Sequence, residues 1–213
     1  MRLSELSERS GVSTATIKYY LREQLLPPGR RVSATQAEYT DGHVRRLRLI
    51  RALLQVGRLP VATAREVLNH ADDESLGRTI RLGAALWSLP HGPDPDEEAP
   101  ETAAATAEVE RLLDRLGWST AREIGSLSPA HRSLVASLAT LIRLGYPCEG
   151  DYLADHARLM HEVAVRDLDM METYPTESEQ VEMAVASAVL HEPLLASLRR
   201  LAQEEESARR YGL

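Results

Sequence analysis

The sequence predicts an all-α protein carrying one small β wing, and three observations lead there. Residues 9–29, RSGVSTATIKYYLREQLLPPG, set a glycine turn, a hydroxyl-rich helix start and a Pro-Pro-Gly stop within one short stretch. Apolar residues recur at helical spacing through most of the remainder, and no run after residue 100 sustains the period-two alternation of a half-buried strand. Charge is also segregated. The 213-residue chain has a formal net charge of -7, yet residues 1–60 hold 11 Lys and Arg against 5 Asp and Glu, leaving 14 against 27 for the rest.

Leu3, Leu6, Val12, Ile17, Leu21, Leu25 and Leu26 supply the inner faces of two short helices. The first starts near Ser4 and must end at Gly11, where a left-handed backbone is inexpensive only for glycine. Ser13 caps the second, which stops before Pro27 because proline lacks an N–H donor and restricts Leu26. Residues 29–39, GRRVSATQAEY, are polar and lack helical period, so they read as a short hairpin or wing. A third helix starts at Thr40 or Asp41 and runs to Gly57. It turns Val44, Leu47, Ile50, Leu53 and Leu54 inward and Arg45, Arg46, Arg48 and Arg51 outward. Pro60 suits the first turn of a fourth helix ending near Asn69.

Residues 1–70 thus describe a winged helix-turn-helix DNA-binding domain. A helix over 73–89 follows, with a stripe of Leu76, Ile80, Ala84 and Trp87 that packs on its own domain or on a second copy of the chain. Residues 90–102 open with PHGPDPDEEAP, an exposed linker by composition. Residues 103–213 form a separate helical bundle, with helices over 103–117, 129–144, 150–173, 177–191 and 193–210. Ser128 before Pro129 is a strong helix start.

Docking on duplex DNA requires a second helix whose N-terminal side chains reach base edges, with flanking groups that grip phosphates. Ser13, Thr14 and Thr16 stand at that helix start, and Lys18 adds a charge one turn later. Tyr19 is expected to face DNA, while Tyr20 packs partly against the third helix and keeps its hydroxyl for a phosphate. Arg30 and Arg31 on the wing, Tyr39 at its end and Arg45 on the third helix complete the candidate DNA-binding set. The basic head suits phosphate contact, and the acidic remainder limits nonspecific adhesion to DNA.

At these residues the chain resembles the MerR family of bacterial transcription regulators. The resemblance runs unbroken through LSELSERSGVSTATIKYYLREQLLPP (3–28), Tyr39 with TDGHVRRLRLIRALLQVG (40–57), and PVATAREVL (60–68). Lys18 stands where the family commonly has arginine, and the wing lacks the family's Asn-Gly turn, so either Arg30 and Arg31 take the phosphate role from its other side or the wing is more mobile. The resemblance implies a homodimer joined by an antiparallel coiled coil of the 73–89 helix. It implies binding to double-stranded promoter DNA, which is bent and untwisted so that RNA polymerase can engage both promoter elements. It also implies a sensor in the C-terminal helices, for which an organic effector in an apolar pocket, a protein partner or no ligand at all are the options. Two rival readings remain: a dimeric repressor that leaves DNA undistorted, and a helical ligand-binding protein whose head docks on another protein.

No motif pairs a nucleophile with a base or cradles a phosphate, so neither an enzyme nor a cofactor is expected. Cys148 has no partner for a disulfide or a zinc site, and no redox role is assigned to it. His156 and His161, near Asp151, Asp155 and Glu162, stand about 140° apart on a helix, which describes a solvated face and no metal site. Met160, Met170, Met171 and Met183 read as fillers of core gaps. Without a leader-like start or a run of membrane-spanning length, the expected compartment is the cytoplasm and no membrane contact is foreseen.

Overall fold

The computed structural model describes residues 1–33, 36–147 and 150–212, so Cys148 lies outside the described residues. The elements are α1 (Leu3–Ser10), α2 (Thr14–Arg22), β1 (Arg30–Arg31), β2 (Ala37–Glu38), α3 (Asp41–Arg51), α4 (Val61–Asp72), α5 (Arg78–Trp87), α6 (Pro100–Leu116), α7 (Ser119–Ile124), α8 (Pro129–Arg143), α9 (Gly150–Glu172) and α10 (Glu177–Tyr211). They fall into two compact units, one of Met1–Ser88 with Met171–Leu213 and one of Leu89–Met170.

In the first unit the tight turn forms where the glycine requires it. Gly11 ends α1 with φ 65°, and the Ser10 hydroxyl donates to the Leu6 carbonyl while accepting from the Val12 N–H. The Ser13 side chain caps α2 by accepting from the Thr16 N–H at 3.1 Å. The exit of α2 is held from outside, since Arg65 of α4 donates to the Glu23 carbonyl at 2.7 Å and to its carboxylate at 2.9 Å. The wing is a two-stranded antiparallel hairpin that pairs Arg30 with Glu38 and Arg31 with Ala37. Leu6, Ile17, Leu25, Leu26, Leu47, Ile50, Leu53 and Leu68 are fully buried, drawn from α1 to α4 and the segments between them.

Several expectations are corrected. Arg46 does not face outward: its side chain is only 6% exposed and lies between Asp72 of α4 and Glu182 of α10. The helical period alone places it with its neighbours, but acids from two other elements draw it in. Helix α5 starts at Arg78, leaving Leu76 in the preceding turn, and α6 begins at Pro100. The segments expected as two helices on either side of residue 192 are one helix, α10, with Pro193 inside it. Proline removes one N–H donor, which costs the Val189 carbonyl its partner, but Val181, Val185 and Val189 are packed in the unit and the Thr176 side chain caps the start. Met160 fills no core gap and is 54% exposed. Helix α10 also has the length and composition of a membrane span, which the sequence reading did not foresee, although its first half packs within the unit.

Helix α3 continues into one π turn, Ala52–Val56, before the chain reverses at Gly57. A side chain at Gly57 has no room, because its Cβ would lie 2.7 Å from both the Leu59 Cδ1 and the Val189 Cγ1 atoms and 2.9 Å from the Leu53 carbonyl oxygen. This close approach lets α10 lie against the end of α3. In the second unit, Ala105, Val109 and Leu113 of α6 pack on Val135 and Leu138 of α8, with Trp118 and Leu153 beside them. Gly117 ends α6 at φ 68°, and the Ser128 cap with Pro129 starts α8 as the sequence predicts.

Gly57→Val is expected to destabilise the first unit by about 1–3 kcal/mol through overpacking. Urea denaturation checks this, and an unchanged midpoint would contradict the close approach of α10.

Candidate nucleic-acid interface

The second helix presents one polar face. At 100° per residue Thr14, Ala15, Lys18, Tyr19 and Arg22 span about 140° of its circumference, and all five are exposed. The opposite face is apolar, with Ile17 and Tyr20 in the core. Ser13 and Thr16 sit at the N-terminus with their hydroxyls 2.8 Å apart, and the Ser13 oxygen also caps the helix. The remaining free backbone N–H groups of the first turn point out of that end and favour an anionic partner.

The two tyrosines divide as expected. Tyr19 is 36% exposed and carries the Arg22 guanidinium 5.3 Å from its ring centroid, an arrangement that holds a cation over the polar face. Tyr20 is 6% exposed, and burial pushes its phenol pKa up, with nearby Arg51 opposing the shift. On the wing Arg30 pairs with Glu38, whereas Arg31 is exposed and meets no acid among the described residues. Tyr39 is buried at 7% exposure. Its N–H donates to the Met1 carbonyl and its carbonyl accepts from the Met1 ammonium, both at 2.8 Å, so the end of the wing is pinned to the start of α1. The Tyr39 ring meets the edge of His43 at 5.1 Å.

His43 closes the start of α3. Its Nδ1 accepts from the Thr40 N–H at 3.0 Å, which requires an unprotonated nitrogen, and burial lowers the His43 pKa in the same sense. Arg45 pairs with Glu179 of α10 at 2.8 Å and approaches Glu182 at 4.0 Å. The structure therefore places Arg45 against α10. Burial raises the Glu182 pKa despite Arg46 and Arg45 beside it. Beside these ion pairs lies an open cleft of 200 Å³ lined by Arg48, Leu49, Tyr174 and Met183, among others.

Residues 1–71 match the family model described as MerR HTH family regulatory protein. The full chain is also similar to a protein of Streptomyces coelicolor A3(2), SCO5550, whose crystal structure is titled as that of a "putative transcriptional regulator". Identity is 64%, the match covers 100% of this chain and 99% of that one, and the TM-score is 0.88. The chain belongs to the MerR family. It is a DNA-binding transcriptional regulator of that family, and the helix-turn-helix with its wing is the MerR module. No protein of curated function matches it in sequence.

Within this MerR head the sequence reading missed Arg22, although its spacing of four from Lys18 sets both on one face. It also missed Glu179 and Glu182, whose engagement with α3 is a long-range pairing that local pattern does not reveal. Ile80 and Trp87 of α5 are 60% and 46% exposed, while Ala84 is half-buried. In the second unit an open cleft of 180 Å³ is lined by residues including Asp94, Thr102, Ala136 and Arg143. Among the described residues no group of three His, Cys, Asp or Glu side chains is placed to hold a metal, and His156 and His161 are exposed.

Because the His43 pKa is lowered from 6.5, its neutral form contributes stability at and above neutral pH that is lost as pH falls below about 6.5 towards the folded value. His43→Gln keeps an acceptor without a proton to gain. It is expected to flatten that slope in thermal melts recorded across the acid range; an identical slope would assign the pH dependence to other groups.

Proposed function

We propose that the protein acts as a homodimer which binds double-stranded promoter DNA at an inverted repeat and distorts it so that RNA polymerase can engage both promoter elements. The observation that carries this reading is the exposed face of α2, where Thr14, Lys18, Tyr19 and Arg22 stand together at the only polar side of a recognition helix. Ser13, Thr14 and Thr16 approach bases or phosphates with their hydroxyls and the helix N–H groups, and Lys18 and Arg22 meet phosphates. Arg30 and Arg31 grip the backbone beside the wing. Tyr20 and Tyr39, buried as they are, set the positions of α2 and the wing, with the Tyr20 hydroxyl the one polar atom offered to a phosphate. Arg45 reaches DNA only by leaving Glu179.

A two-fold dimer presents two α2 helices to successive major grooves, and the preferred half-site separation on undistorted DNA is about 34 Å. A promoter with a longer separation is engaged only when the duplex bends or untwists, so deformability contributes to specificity. The exposed Ile80 and Trp87 of α5, with Leu76 and Ala84 beside them, offer a face to the second copy. The cleft of the second unit is the proposed seat of an organic effector, and the protein acts where promoter DNA is, in the cytoplasm.

Selection of binding sites from random duplexes, followed by fluorescence anisotropy over a salt series, tests the reading. An inverted repeat is expected, and Lys18→Ala should weaken binding on all sequences and reduce the slope of log K against log salt by about 1. Failure to protect any duplex at low salt would end the proposal. In vitro transcription with the spacer between promoter elements shortened distinguishes distortion from simple occupancy, because only a distorting activator loses its effect.

A further inference from the structure

The chain has 25 Lys and Arg residues, and only one of them, Lys18, is a lysine. Every other basic side chain, on the wing, on α3 and elsewhere on α2, is an arginine. Position 18 is therefore the one place on the exposed face of α2 where the charge sits on a primary amine. A guanidinium keeps its proton at any physiological pH, whereas the ε-amine of a lysine can give up its proton and attack an activated carbonyl.

The surroundings leave that amine open. Lys18 is exposed and makes no hydrogen bond or ion pair among the described residues. Thr14 and Arg22, one turn away on either side, lie about 40° from it around the helix and are exposed as well, and the small Ala15 flanks it. The Met1 ammonium, also a primary amine, is by contrast partly buried and donates to the Tyr39 carbonyl at 2.8 Å. Arg22 and the free N–H groups at the start of α2 attract anions. An acyl group activated on phosphate, or on a thioester that bears phosphates, is thus drawn to the same surface as the DNA backbone.

We propose that Lys18 is an acylation site that switches off DNA binding. The unprotonated ε-amine attacks the carbonyl carbon of an acyl phosphate or of a coenzyme A thioester. A C–N bond forms, the C–O bond to phosphate or the C–S bond to the thiol breaks, and the proton of the amine leaves with the phosphate or the thiol. The resulting amide is uncharged, so Arg22 is left as the only cation of α2 and one phosphate contact is lost. This inference rests on the contact between Lys18 and DNA in the proposed function.

The full chain treated with acetyl phosphate in one arm and acetyl-coenzyme A in the other provides the test. Peptide mass spectrometry maps the modified residues, and fluorescence anisotropy reads binding to the selected duplex. Acetylation of Lys18 by at least one donor is expected, with affinity lowered about tenfold or more and the slope of log K against log salt reduced by about 1. Saturating duplex added beforehand should protect Lys18. Lys18→Arg keeps the charge and is expected to bind equally well with and without treatment, which separates Lys18 from the Met1 amine. Lys18→Gln, uncharged from the start, should bind as weakly as the acetylated protein. If neither donor modifies Lys18, the inference falls alone and the DNA contact stands. Lys18 acetylated with affinity unchanged, or acetylated as fast under saturating duplex, would overturn the switch together with the Lys18 contact of the proposed function.

Discussion

The guanidinium of Arg46 is the point on which the first unit depends. It stands between Asp72 at the end of α4 and Glu182 near the start of α10, so one buried cation joins three helices. Removing such a charge from water costs several kcal/mol, about as much as the stability of many domains can spare, and the cost is met only while its acids remain in place. Glu182 bears the same constraint in reverse, since burial raises its pKa even beside two arginines. Once α3 carries Arg46 inward, α10 cannot leave without stranding a buried charge. The C-terminal helix is consequently part of the DNA-binding head, packed there by Val181, Val185 and Val189 and admitted by the bare backbone at Gly57.

This arrangement redistributes the charge that phosphates would meet. The acids of α10 take Arg45 and Arg46 out of the basic surplus. Lys18, Arg31 and Arg48 meet no acid among the described residues, and Arg22 lies over the Tyr19 ring with Glu23 3.8 Å away. Cations that meet no acid among the described residues thus stand on the second helix, the wing and α3.

Much of the head was legible because its signals are local. Gly11 needs a left-handed backbone, Ser13 lies three residues before an N–H that it can cap, and Pro27 forbids helix continuation; each rule acts within one turn of chain. The wing followed from the polar run around Arg30 and Arg31, and the split between Tyr19 and Tyr20 from helical geometry. Several misreadings involve distant partners. Arg46 has the spacing of a surface arginine, and only Asp72 and Glu182 reveal otherwise. Pro193 has the signature of a break, but packing of the preceding turns carries the helix through. Met160 has the composition of core and the exposure of surface, because no element of its own unit covers it.

The central claim is that α10 and the helix-turn-helix head form one cooperative body. Native-state hydrogen exchange measures this most directly. The amides of 181–189 in α10 and those of 44–50 in α3 are expected to share one opening free energy and to lose protection together as denaturant is added. Exchange of 181–189 at a free energy well below that of α3, with α3 unaffected, would show that the helix is an appendage and would contradict the account.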